Sequence, residues 1–501
     1  MHTVKVLGDY IDGRFRRPRG AQYKIVSRDP GDTGYRIGSF SVYPGHVDAA
    51  IDAAQAASAE WRKMDLSERA DILRKFAAEV VNQREVLART ISAESGKPIW
   101  ESALDVATIE AQVETDVREG IRATSPFKVG EIRWGVYGSC NFRPLGVAAI
   151  LGPAASPMDI PVSLILPTLL AGNTVVFKPS KLAPACGQAI AKLMDEVELP
   201  KGVFNMIQGD ADTGLRLACH AAVDSVLFAG AVQSGRRLLE ATSAQPHKLV
   251  SVQMGGVNPA LVLEDADMDR AVYECVKGAF MTTGQRYTST GVILVARQRF
   301  EQFTELFLQK VDNLKIGYCD EPGVFMGPLL SKAAMDRALD RQEKLLGMGA
   351  VRIHLAREVD KKKPGFYLSP SVLVMKRPMP LDEIRPMGQS FGPDVVVIPF
   401  KGRSEALRVA NSTSYRLAVS VITEDPERFL NYCQDLNFGL INHNLSTTET
   451  SIRLPMGGQG QSGNHRPMGV FNQRNSTFPV ASLRAPQAFD PDRVIPPYKE
   501  M

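Results

Sequence analysis

The sequence predicts an α/β fold in which a doubly wound unit precedes a second α/β unit, with a β-ribbon set apart from both. Three patterns predict it. From Gly146, short apolar runs alternate with amphipathic stretches, as a parallel sheet covered by helices requires. A second alternation of this kind occupies about residues 255–455. Residues 127–142 mix turn residues with β-formers and read as an extended ribbon rather than part of a compact core.

Taken in order, residues 1–45 are turn-rich, with a strand-like run at 23–27. Two long helical patterns follow. In one of them Asp65 and Glu68 form a capping box ahead of a stripe made by Leu73, Phe76, Ala77 and Val80. Apolar runs at 147–151, 174–177, 203–207 and 225–228 read as strands, and 187–197 and 213–222 as helices between them. In the second unit, 260–262, 292–295 and 395–398 read as strands and 300–314 as a long helix. Asp267 is placed to cap a helix whose stripe is Val272, Cys275, Val276 and Ala279; Thr282, Thr283 and Gly284 then stop it. Gln285, Arg286 and Tyr287 are thereby presented on a turn. Residues 478–483 supply a partner for the ribbon, and the tail from Ala485 is charged and proline-rich. The boundaries expected are 1–124 and 145–254 for a Rossmann-type nucleotide-binding domain, 255–455 for a catalytic-type domain, 125–144 and 475–490 for the ribbon, and 491–501 for the tail.

Composition excludes several classes. The chain has 501 residues, 44% of them apolar, enough for a large core and more than one domain. Fifty-nine basic against 55 acidic residues give a formal net charge of +4, too mild to argue for nucleic acid or a membrane surface. Six cysteines show no metal-ligand or paired spacing, which suits a reducing compartment and no metal site. The N-terminal MHTVKVLGDYIDG has no continuous apolar core of a secretory signal. The most apolar region, 146–172, holds four prolines and Asp159 and does not read as a membrane span. A cytoplasmic protein is expected.

Ordered landmarks run through nearly the whole chain: Glu94-Ser-Gly-Lys-Pro98, Arg143-Pro-Leu-Gly146, Ala171-Gly-Asn-Thr-Val-Val-Phe-Lys-Pro-Ser180, Gly255-Gly256, Gly284-Gln285, Phe391-Gly-Pro393 and Pro455-Met-Gly-Gly458. Together they resemble the aldehyde dehydrogenase superfamily. Leu170–Ser180, Gln285-Arg286 and Ser462-Gly-Asn-His-Arg-Pro467 look most like its succinylglutamate-semialdehyde dehydrogenase branch. The resemblance implies that the ribbon joins subunits into a homo-oligomer, which would also satisfy its unpaired backbone groups.

The same resemblance implies a nucleophilic cysteine, a general base, an oxyanion-stabilising amide and a nicotinamide cofactor. At the cysteine position stands Tyr287, a phenol whose ordinary pKa of about 10 makes it a poor nucleophile. At the base position stands Gln253, which cannot take a proton at neutral pH. At the oxyanion asparagine stands Ala155, in Pro153-Ala-Ala-Ser-Pro157. Ser156, Thr288 and Ser289 are neighbouring hydroxyls without a visible base. The other cysteines match no nucleophile position, and Cys275 reads as a core thiol. Arg286, His465 and Arg466 are candidates for gripping a carboxylate, or else members of a structural hydrogen-bond network.

On the cofactor side, Lys178 matches the family's ribose-binding lysine. Lys181 replaces the family carboxylate there, either as a phosphate reader favouring NADP or as a solvated surface lysine. Gly230 and Gly235 open a helix whose backbone could face a pyrophosphate. Gln389 replaces a carboxylate, and Phe391 keeps the stacking ring. NAD or NADP is therefore the implied cofactor, with binding weakened or lost. Three functions compete: a degenerate family member serving as a partner or ligand-binding protein, an enzyme with repurposed non-redox chemistry on an anionic or amino-acid-derived substrate, and a residual semialdehyde oxidoreductase.

Overall fold

The computed structural model describes residues 4–17, 20, 22–133, 135–386, 388 and 391–487. Two seven-stranded sheets dominate. In the first, Leu249–Met254, Ser225–Gly230, Val147–Leu151, Thr174–Lys178 and Phe204–Met206 lie side by side and parallel. The short Asp9–Tyr10 and Phe15–Arg16 strands close one edge antiparallel. The strands Val147–Leu151 and Thr174–Lys178 are buried at every residue, because helices cover both faces; hence their unbroken apolar sequence. Chain order runs outward from Val147–Leu151 in one direction, then returns to place Ser225–Gly230 on its other side. That reversal opens a crevice beyond the carboxyl ends of the two strands.

The second sheet has the order Val351–His354, Ser371–Val374, Asp394–Phe400, Val292–Ala296, Pro259–Val262, Ala418–Ile422 and Leu440–His443, parallel except for its first edge strand. A separate antiparallel sheet joins Phe127–Arg133, Val136–Pro144 and Thr477–Arg484, with Phe478 opposite Arg143 and Leu483 opposite Gly138. Phe127–Arg133 is exposed along its whole length. No described helix is long and apolar enough to cross a membrane.

Several local expectations need correction. Four helices, not two, fill residues 46–118: His46–Lys63, Leu66–Asn82, Arg84–Ser95 and Ile99–Arg118. The third stops at Gly96, whose left-handed backbone (φ +73°) is followed at once by the break at Pro98. The helix expected from Gly187 begins at Pro184, since Glu94, ninety residues earlier, accepts the backbone N–H of Ala185 and Cys186 at 2.9 and 2.8 Å. The helix expected from Thr213 begins at Ala211 under the Asp210 cap and ends at Cys219. The tail 491–501 lies outside the described residues.

Candidate functional site

The Tyr287 turn is assembled as its sequence suggests, and then held by groups from elsewhere. Asp267 accepts the Arg270 N–H at 2.8 Å and starts the helix Met268–Phe280. After it, Thr282 and Thr283 both adopt φ +55°, a left-handed conformation that costs a side-chain-bearing residue about 1–2 kcal/mol. Compensation comes from buried partners. Glu101 accepts both the backbone N–H (3.2 Å) and the hydroxyl of Thr282, and Thr283 Oγ1 donates to the Gly327 carbonyl at 2.9 Å.

Tyr287 is partly buried, and its hydroxyl donates to Met456 Sδ at 3.4 Å, a weak acceptor. Its backbone carbonyl accepts from Asn258 Nδ2 at 2.9 Å. Burial, with the Asp159 carboxylate adding to it, pushes the phenol well above its ordinary pKa, so it stays protonated. Gln253, 3% exposed, donates from Nε2 to the Arg466 carbonyl. Its neighbours repeat the pattern. Asn464 accepts from Val252 N and donates to the Val250 carbonyl, while Met254 N donates to Ser462. Residues 462–467 are thus clipped along Leu249–Met254 by their backbone and Asn464, and His465 and Arg466 project as exposed residues. Ala155 sits between the strand Val147–Leu151 and the helix Asp159–Leu170, where it presents a methyl group and no side-chain donor.

Arg286 faces inward. Its Nε donates to Thr282 Oγ1 at 2.8 Å and its Nη2 to Glu101 Oε1 at 3.1 Å, with Asp105 at 3.8 Å. Lys97 Nζ pairs with Asp105 in turn, and Asp159 adds its field to the group. Two cations thus face three carboxylates, and burial pushes Asp105 above the ordinary carboxylate range. Among the described residues no hydrogen bond or ion pair joins Arg286 to His465 or Arg466. Sequence reasoning missed this network, although Glu101 and Asp105 are four apart on one helix face.

The crevice at the strand reversal is open. A cavity of about 220 Å³ is lined by Leu151, Lys178, Lys181, Asp210, Phe228 and Arg237, among others. Lys178 Nζ donates to the carbonyls of Pro179 and Gly209 at 2.8 and 3.2 Å, and burial lowers its pKa to about 8. Lys181 is exposed on the rim. A second cavity of about 470 Å³ lies on the other side of the helix Val232–Thr242, reached by Val232, Arg337, Arg341, Lys344 and Phe391. That helix has no side-chain cap, so its first N–H groups are available to an anion. Gly230 and Gly235 are tight packing positions: a Cβ would meet the Phe228 ring at 2.6 Å and Met254 Sδ at 2.4 Å respectively. Phe391 holds φ +51° at the cavity edge. Gln389 lies outside the described residues. Among the described residues, no three His, Cys, Asp or Glu side chains are placed so that they could hold a metal ion.

The aldehyde dehydrogenase family profile matches residues 19–477. The chain is 33% identical over 494 residues to N-succinylglutamate 5-semialdehyde dehydrogenase of Chromobacterium violaceum, covering 97% of this chain and 98% of that protein. It superimposes with a TM-score of 0.90 on PnpE from Pseudomonas sp. WBC-3, 29% identical and 100% covered on both sides. An aldehyde dehydrogenase from Bacillus cereus solved as an NAD+ complex gives 0.90 at 25% identity, over 96% of this chain and 97% of that one. With the two sheets and the ribbon in place, the chain belongs to the aldehyde dehydrogenase family.

Proposed function

We propose that this family member has lost NAD(P)-linked aldehyde oxidation and serves as an oligomeric, cytoplasmic ligand-binding or partner protein that keeps its nucleotide cleft. One observation carries the reading: none of the three positions on which the family's reaction turns holds a group able to attack, take a proton or stabilise an oxyanion. Tyr287 is a protonated phenol against a thioether, Gln253 spends its amide on a backbone carbonyl, and Ala155 has no donor. Losses of this kind each cost orders of magnitude in rate, and they act on one chemical sequence.

The cleft beside Thr174–Lys178 keeps groups that suit a dinucleotide. Lys178, the uncapped helix Val232–Thr242 and Phe391 would hold its ribose, diphosphate and ring ends; when bound, it would supply a hydride acceptor or donor. The substrate carboxylate expected at Arg286 finds that guanidinium already paired with Glu101, so an anionic ligand would have to use the exposed His465 and Arg466 instead.

The test is a continuous assay of purified protein with N-succinylglutamate semialdehyde and NAD+ or NADP+. No formation of NADH or NADPH above a heat-treated control is expected, and sustained turnover would sink the reading. A second reading, non-redox chemistry with Tyr287 as a hydrogen-bond donor, draws support from the phenol's raised pKa and its weak sulfur partner. Tyr287→Phe abolishes such an activity if it exists; unchanged turnover removes the idea.

A further inference from the structure

Asp116 is a buried acid that no cation faces among the described residues. It lies in the last turn of the helix Ile99–Arg118 and is 2% exposed. Its Oδ1 accepts one hydrogen bond, from Gln112 Nε2 at 3.0 Å; its Oδ2, also shut off from solvent, has no partner among the described residues. The charged side chains of the surrounding elements are engaged elsewhere. Arg118 pairs with Glu114, Glu119 with Arg453, and Arg74 with Asp71 and Glu114. Arg69 donates to the carbonyls of Leu170 and Trp61, Arg474 donates to that of Ala123, and Arg122 is exposed. Asp159 acts on Arg286 and Lys97. Burial is therefore opposed only by the Gln112 bond, and holds the Asp116 carboxyl well above the ordinary carboxylate range.

The ribbon is rooted at the same spot. The helix Ile99–Arg118 leads into the turn Gly120–Thr124, which feeds the outer strand Phe127–Arg133. The turn Asn472–Ser476 feeds the other outer strand, Thr477–Arg484. Gln473, 3% exposed, ties the two roots together: its Nε2 donates to the Asp116 carbonyl at 3.4 Å, and its Oε1 accepts from Thr124 Oγ1 at 3.0 Å. A Cβ on Gly120 would lie 3.3 Å from Gln473 Nε2 and 3.5 Å from Asp116 Oδ1, so the amide and the carboxyl stand over one point. Asn472 Oδ1 is a second buried acceptor with no donor among the described residues. Acceptors are thus in excess here, and a proton on Asp116 supplies a donor. A bare carboxylate would bring a charge to a place with one N–H to meet it. Water must then reach it, and the seam between the helix end and Asn472–Ser476, held by the long Gln473 bond, is the wall that gives.

We infer that Asp116 is a pH-sensitive fastening of the ribbon: as a neutral carboxyl it keeps the two roots joined, and its ionisation frees them from one another. The sign follows from the proton count. The closed form holds a proton that the opened form gives up, so closure is favoured at low pH and weakens as pH rises, until the closed form ionises as well.

Hydrogen–deuterium exchange of the full-length protein between about pH 5 and 9, corrected for the intrinsic pH dependence of amide exchange, tests this. With one proton released on opening, the opening equilibrium of peptides covering residues 120–133 and 472–484 should rise about tenfold per pH unit and then level off. Peptides from the buried strand Val292–Ala296 should show no such rise. Asp116→Asn, which cannot ionise, should remove the pH dependence from both root segments. Gln112→Met takes away the one N–H that meets the charged form, so it should move the levelling point to higher pH; it carries the test if the Asn variant fails to fold. A flat profile in the parent, a rise in only one of the two roots, a rise that Asp116→Asn retains, or a levelling point unmoved by Gln112→Met overturns the inference.

Discussion

The side-chain amide of Gln253 is built into the fold. Its Nε2 donates to the Arg466 carbonyl, which also accepts from Ser251 Oγ at 3.0 Å. A carboxylate cannot make that bond, because it has no proton to give at neutral pH. Gln253→Glu should therefore destabilise the protein by about 1–3 kcal/mol at pH 7, the range for an opposed buried polar group. Gln253→Met, which leaves Ser251 on the same carbonyl, should cost less. Equilibrium urea denaturation of the pair checks the order, and a Glu variant as stable as the parent refutes it. Tyr287 differs in kind. Its hydroxyl meets only a thioether, so Tyr287→Phe should change stability by well under about 1 kcal/mol.

At the scale of elements, buried carboxylates from the helical segment 84–118 organise structures far away in sequence. Glu94 accepts Ser27 Oγ at 2.6 Å and the first N–H groups of the helix Pro184–Glu196, uniting three elements. Burial nevertheless outweighs these bonds and raises its pKa to about 7. The native state then binds more protons than the unfolded chain between about pH 4.5 and 7, so this residue's contribution falls as pH rises through that window. Glu94→Gln should lower stability at every pH, since an amide N–H would face a backbone N–H. It should also flatten the slope between pH 4.5 and 7. Urea midpoints measured across that range decide; an unchanged slope would show that Glu94 stays ionised.

At the scale of the molecule, the ribbon is the feature that a single chain leaves unfinished. Phe127, Phe478 and Leu483 are 55%, 62% and 66% exposed on a three-stranded sheet whose two outer strands each have one side unpaired among the described residues. Association of copies through this sheet would cover those side chains and a free edge. Phe478→Asp combined with Leu483→Lys should shift the protein toward monomer in sedimentation velocity while the far-ultraviolet circular dichroism stays the same. An unaltered sedimentation coefficient would place the subunit contact elsewhere.

Much of this was legible in the sequence. Strands covered on both faces must be apolar at every position, so Val147–Leu151 and Thr174–Lys178 announced a parallel sheet. The Asp65 and Asp267 caps announced where helices begin, because those bonds are local. That Tyr287, Gln253 and Ala155 carry a phenol, an amide and a methyl group was equally plain, since the identity of a side chain is written in the sequence. Tertiary structure alone decided the rest. The true start of the helix at Pro184 depends on Glu94, and the inward turn of Arg286 on Glu101 and Thr282. Each of these is a competition for partners among groups tens or hundreds of residues apart, and only the folded chain brings the competitors together.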